Sequence, residues 1–410
     1  MIRSRIGLGL LIAAGLAGPA GARGAAGPPE LRDGDRVVLV GGTLVEREAE
    51  SGYLEAQLAR RHPGRAITVR NLGWSGDTVG GVARTKANPP ADGYRALVDH
   101  VAALKPTVNV LGYGAVESFD GVAGLPAFAV GLDRLWGDLA KTGARMVVLT
   151  PNRQEALGPP LPDPAAHNAD IARYADLLRV TAAGRGAGCV DLFAAPAGPR
   201  PWTANGIHPT PSGYRAASAL IAPALGGLPA EPWRVTIEGD RATAVGAAVD
   251  GLAATAAGVT FRLLPAALPE PPDPAPTDAG AGAAEPRRTL RVAGLASGSY
   301  RLSIDGRPQQ VATAAGWRDG VAIRADAEAE QVEALRARVV RKNSLYFHRW
   351  RPQNETYLFG MRKHEQGRNA AELAAFDPQV AAEEAEIVRL SRPVAHAYEL
   401  ARVPEGEVAR

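Results

Sequence analysis

Only one cysteine, Cys189, occurs in 410 residues, so no disulfide can form within the chain in any redox compartment. Lying in Gly188-Cys189-Val190, it reads as a small core residue. Metal-binding patterns are also lacking. The histidines (His62, His100, His167, His208, His348, His364, His396) are scattered, and none shows a ligand spacing joined to cysteine, so no metal or cofactor is predicted. The glycines near Gly41 form neither a Gly-x-Gly-x-x-Gly run nor a phosphate loop, which argues against nucleotide binding. The net charge is only +3 and no basic run is interleaved with aromatics, so nucleic acid is excluded as a partner class. Beyond the N-terminus no long apolar run remains, so no membrane span is predicted in the mature chain.

That N-terminus reads Met-Ile-Arg-Ser-Arg, an apolar run from Ile6 to Ala17, then Ala20-Gly21-Ala22. A positive start, a short greasy middle and an Ala-x-Ala exit are the parts of a secretory signal peptide over residues 1–22, which implies a secreted or periplasmic protein.

Residues 30–226 alternate apolar runs with amphipathic segments. Strands are predicted at Arg36–Val40, Ala66–Asn71, Thr107–Gly112, Arg145–Thr150 and Gly188–Leu192, with helices near 52–61, 94–104, 125–141 and 166–183. Apolar strands with little polar alternation, separated by helices, predict an α/β domain with a parallel sheet covered on both faces. Residues 230–322 carry short strand patterns and an Asp305-Gly306 hairpin turn, and read as a small antiparallel β module. Within it, 268–287 is a Pro/Ala-rich loop. Residues 323–410 read as a C-terminal helical segment, with Val332, Leu335 and Val339 on one helix face and Asp377-Pro378 starting another. Its aromatic and arginine-rich stretch, 345–365, is expected to dock near the pocket, with Arg349 or Asn354 as candidates to enter it.

Four polar clusters fall at predicted strand ends, where ligands of parallel sheets bind. They are Gly41-Gly42-Thr43-Leu44, Asn71 to Thr78 (Asn-Leu-Gly-Trp-Ser-Gly-Asp-Thr), Gly112 to Ser118 (Gly-Tyr-Gly-Ala-Val-Glu-Ser), and Asn205-Gly206-Ile207-His208-Pro209. In order and spacing they resemble the SGNH (GDSL) hydrolase family over roughly residues 33–220. The second cluster and the run from Gly206 to Tyr214 are the most specific parts. The resemblance implies a three-layer α/β/α, flavodoxin-like fold and hydrolysis of acyl or acetyl esters, carbohydrate esters among them, without a cofactor.

Carried over residue by residue, the family's serine nucleophile falls on Thr43 and its base on His208. The oxyanion donors fall on the amide of Thr43, on Gly76 and on Val116, and the orienting aspartate falls on Asn205. Val116 has no side-chain donor and Asn205 no charge. Loss of one oxyanion donor costs about 10²–10³ in rate. An orienting Asp changed to Asn costs on the order of 10⁴, because the histidine takes the wrong tautomer. Glu46, Asp77, Glu117 and Asp120 are candidate replacements for that carboxylate, and Asp77 and Glu117 belong to the predicted pocket. Trp74 and Tyr113, with Phe119 and Trp202, are candidate rings for stacking on a sugar. Two functions follow: an exported ester hydrolase with a rebuilt site, or an inactive module of the same fold that binds glycan or acyl ligands.

Overall fold

The computed structural model describes residues 30–85, 89–198, 200–229, 231–274, 288–324, 326–365 and 369–404. The signal-peptide expectation and residues 275–287 of the Pro/Ala-rich loop lie outside them.

Five short apolar segments form a parallel sheet: β1 (Arg36–Gly41), β2 (Thr68–Asn71), β3 (Val108–Gly112), β4 (Arg145–Leu149) and β5 (Gly188–Val190), in the order β2-β1-β3-β4-β5. The connecting helices are α1 (Thr43–Ser51), α2 (Tyr53–Arg61), α3 (Pro90–Ala103), α4 (Gly121–Ala140), α5 (Ala165–Gly184) and α6 (Pro211–Ile221). Side chains alternate across each strand, so one strand feeds two cores. Val38, Val40, Leu111 and Val148 pack with Leu97, Leu132, Leu135 and Leu178 of α3, α4 and α5. Val37, Leu39, Val110 and Leu149 pack with Leu54, Leu58 and Ile221 of α2 and α6. This is why the strands read as unbroken apolar runs. The strand order reverses between β1 and β3, and ligands of such sheets bind in the crevice at that point.

Cys189 corrects one expectation. It is exposed on edge strand β5, its side chain on the opposite face from the buried Val190.

The following strands make a two-sheet sandwich. They are β6 (Arg234–Glu238), β7 (Arg241–Val245), β8 (Ala247–Thr255), β9 (Gly258–Pro265), β10 (Arg288–Ala293), β11 (Ser299–Ile304) and β12 (Arg307–Thr313), then helix α7 (Ala314–Asp319) and β13 (Val321–Ile323). One sheet has the order β13-β10-β6-β7. It is mixed rather than antiparallel, since β10 runs parallel to β6. The other has the order β12-β11-β14-β9-β8, and its β14 is His396–Arg402. The C-terminal segment is therefore not helical throughout. The alternation of buried and exposed residues along His396–Leu400 suits a strand, and β14 fills the slot between β9 and β11. Trp233, Phe261, Tyr300, Trp317 and Tyr398 form the core between the sheets.

Helices α8 (Asp326–Trp350), α9 (Glu355–Leu358) and α10 (Phe376–Leu390) return to the α/β domain. Val332, Leu335 and Val339 are completely buried, as their spacing predicts. Asp377 lies inside the first turn of α10 rather than capping it. Helix α8 covers the edge of the parallel sheet at β2. There the ammonium of Lys342 donates to the Val69 carbonyl at 2.8 Å and to Glu55 at 2.6 Å.

Candidate active site

Three backbones converge where β1 and β3 end, and they converge because glycine permits it. A Cβ on Gly41 would lie 2.4 Å from the Gly112 carbonyl oxygen, and one on Gly73 2.3 Å from the Glu46 nitrogen. The amide of Gly42 donates to the Gly112 carbonyl at 3.2 Å, and that of Trp74 to the Gly41 carbonyl at 2.9 Å. Thr43 thus opens α1 beside the 73–77 turn, with Gly42 as the helix N-cap. First-turn amides of a helix lack intrahelical acceptors and favour negative charge. Thr43 is half-buried, and among the described residues its hydroxyl has no hydrogen-bond partner, His208 included. Gly76 stands exposed at φ +76°, with open space around it.

The acids at this edge stitch loops together. Glu117 is buried, and its carboxylate accepts the amides of Val79 and Gly114, each at 2.9 Å. Burial pushes its pKa up despite those bonds. Asp77 is buried and binds Arg84 at 2.7 Å and the Tyr113 hydroxyl at 3.2 Å. Asp120 precedes α4, where its side chain makes no cap bond. None of the four candidate carboxylates orients His208.

Tyr113 is accordingly not a stacking surface: the ring is buried and its hydroxyl is held by Asp77. Val116 is half-buried at the start of the turn formed by Glu117–Asp120. Phe119 is exposed and lies against the His167 ring at 4.0 Å between centroids. Trp202 packs partly into the core under α6.

His208 is held by a short, heavily bonded loop. The Glu155 carboxylate accepts the amides of Trp202 and Thr203 at 2.8 and 2.7 Å, and Thr210 caps α6 by accepting from Gly213 at 3.1 Å. Within the loop the Oδ1 of Asn205 accepts the amides of His208 at 2.9 Å and Ile207 at 3.2 Å. Those two donors fix which end of the amide is oxygen. The Nδ2 group must therefore face the Nδ1 of His208, 3.0 Å away, and donate to it. An imidazole accepting at Nδ1 carries its proton on Nε2. Partial burial, helped by the charge of Arg47, holds the His208 pKa below its usual value, which favours the neutral ring. His208 thus presents a donor where a triad needs a lone pair.

The residue of the 345–365 stretch that reaches this edge is Arg351. Its guanidinium lies 3.4 Å from the centroid of Trp74 and pairs with Glu46 at 2.5 Å. Glu46 also binds the Ser75 amide at 2.8 Å and the Ser75 hydroxyl. Trp350 meets Trp74 edge-on at 6.0 Å. The ring of Trp74, read as a ligand platform, is therefore roofed by the C-terminal segment. Arg349 instead pairs with Asp377, and Asn354 closes the first turn of α9 through its carbonyl, so neither is the residue delivered to this edge. The aromatic density of 345–365 was the only signal for this docking.

The order of the sheet, the glycine-built turn bearing Thr43 and the His208 loop agree with the family match, which spans residues 34–216. That stretch is a GDSL-like lipase/acylhydrolase domain. No curated protein matches the chain in sequence. Among solved structures, a gut microbial diltiazem-metabolizing enzyme is 15% identical, with 93% of this chain and 100% of that one covered at a TM-score of 0.68. That likeness shows a shared fold extending beyond the GDSL-like domain. A catalytic mutant of Axe2, an acetylxylan esterase from Geobacillus stearothermophilus, is 16% identical, covering 48% of this chain and 97% of its own at a TM-score of 0.39. The lipase/acylhydrolase from Enterococcus faecalis is 20% identical, covering 46% and 94% at a TM-score of 0.35. Among the described residues no group of three or more His, Cys, Asp or Glu could hold a metal ion, and no helix is long and apolar enough to cross a membrane.

Proposed function

We propose that the GDSL-like domain recognises an acyl or acetyl ester, on a glycan or a small molecule, and does so as a binding site rather than as a serine-type hydrolase. One observation carries this reading: Asn205 donates to Nδ1 of His208 and leaves the proton on Nε2. The groups this reading assigns to an ester carbonyl, namely the Thr43 amide and hydroxyl, the Gly76 amide and the Nε2–H of His208, can all donate to it. A nucleophile without a base, together with a missing oxyanion side chain at Val116, removes most of what a triad supplies, about 10⁴ for the tautomer alone.

A second reading, a slow hydrolase with a rebuilt site, is favoured by the unbonded Thr43 hydroxyl at the head of α1. Hydrolysis of p-nitrophenyl acetate separates the two. Recognition alone gives a wild-type rate equal to that of Thr43→Ala and His208→Ala. Turnover that falls in both variants would establish the hydrolase instead. We also propose export through residues 1–22, which mass measurement of the mature N-terminus checks.

A further inference from the structure

At the end of the parallel sheet opposite Thr43, the starts of β1, β3 and β4 border an open cleft of about 750 Å³. Its walls carry five cations, Arg32, Arg36, Lys105, Lys141 and Arg145, against two carboxylates, Asp35 and Asp138. Both carboxylates are engaged. Asp35 takes Arg145 at 2.5 Å and the Thr107 hydroxyl at 2.7 Å. Asp138 takes Lys141 and the Tyr94 hydroxyl, each at 2.6 Å. Arg32, Arg36 and Lys105 have no ion-pair partner among the described residues. Three uncompensated cations around one concavity focus positive potential there, and arginine forks match carboxylate or phosphate oxygens.

Lys105 adds an independent sign. It follows the last residues of α3 at φ +48°, the left-handed position where glycine is usual. A lysine there strains the backbone where glycine would not. The conformation is held by the Lys105 amide donating to Ala102 at 3.0 Å and by Nε of Arg36 donating to the Lys105 carbonyl at 2.6 Å. The strained residue thus brings a charge into the cleft, while Val98, Ala102 and Pro106 supply apolar wall. A cleft of this size holds an organic molecule rather than a single ion.

We propose that this cleft binds a small polyanion bearing several carboxylate or phosphate groups, at a site separate from the Thr43–His208 edge. Titration calorimetry of the full chain with citrate and with tripolyphosphate, at low and physiological ionic strength, tests it, with a neutral trisaccharide as control. At least one anion should bind, and binding should weaken with salt. It should fall roughly tenfold or more in the double variant Arg32→Ala, Lys105→Gly, about the loss expected for two rim charges. Glycine suits φ +48°, so this variant should melt no lower than wild type, which separates lost charge from lost fold. Preference for citrate assigns carboxylates, and preference for tripolyphosphate assigns phosphates. The proposal fails if neither anion binds at low salt. It fails equally if the double variant binds as wild type does, or if Arg241→Ala on the β-sandwich weakens binding as much.

Discussion

Arg351 stacks on Trp74 and pairs with Glu46, a residue 305 positions away in sequence. Through Glu46 it fixes Ser75, and with it the turn that presents Gly76. The donors of the candidate site thus depend on a helix end outside the GDSL-like domain. In Arg351→Met the stem remains and the charge goes. Stability should drop by about 1–2 kcal/mol, the sum of a partly buried cation–π contact and a partly exposed ion pair. Urea unfolding measures that loss, and hydrogen exchange at Ser75 and Gly76 should quicken. Unchanged exchange at those amides would show that the turn holds without Arg351.

The tautomer of His208 is open to a direct test. In wild type the imidazole should titrate below its usual 6.5, because burial and Arg47 both oppose the charged form. Asn205→Asp places a carboxylate at Nδ1, which favours the imidazolium and moves the proton to that nitrogen. The pKa should then rise above 6.5 by NMR titration. A wild-type value already above 6.5 would contradict the Asn205 assignment.

The parallel sheet was legible in the sequence because its strands are buried on both faces and so read as unbroken apolar runs. The turns at Gly41, Gly73 and Gly112 were legible for a steric reason, since a Cβ at any of them would collide with a neighbour. Strand β14 was not, because its partners lie far back in the chain and helix-like composition precedes it. Position at a strand end also left open where each side chain points. Asp77, Glu117 and Tyr113 were therefore placed in the pocket, whereas they turn inward and hold one another's loops. Asn205 was assigned its position from the sequence, yet only the backbone amides of Ile207 and His208 determine which way its amide faces.

Glu48 makes stability depend on pH. Burial, with nearby Glu55 adding to it, pushes its pKa from 4.5 to about 8, against the pull of Lys342 and Arg336. Between those values the folded protein holds a proton that the unfolded chain has lost, so stability falls as pH rises, by up to about 1.4 kcal/mol per unit. Glu48→Gln keeps an oxygen to accept the Leu54 amide, bonded at 2.7 Å, and cannot ionise. Its unfolding free energy should change less between pH 5 and 8 than that of wild type. Parallel profiles for the two proteins would mean that Glu48 is already ionised at neutral pH.

Lys342 is completely buried, with its ammonium between Glu55 and the Val69 carbonyl of edge strand β2. Lys342→Met preserves most of the stem but leaves a buried carboxylate without its cation and a strand carbonyl without its donor. Breaking a buried pair from one side costs about 3–5 kcal/mol. Removing the stranded charge as well, in Lys342→Met with Glu55→Gln, should recover much of that loss, since a neutral amide is far less costly to bury. Chemical unfolding of both single variants and the double closes the cycle. Additive losses would mean that the two groups do not interact, and that α8 is held instead by its apolar face, where Leu335 and Val339 pack with Ala56 of α2.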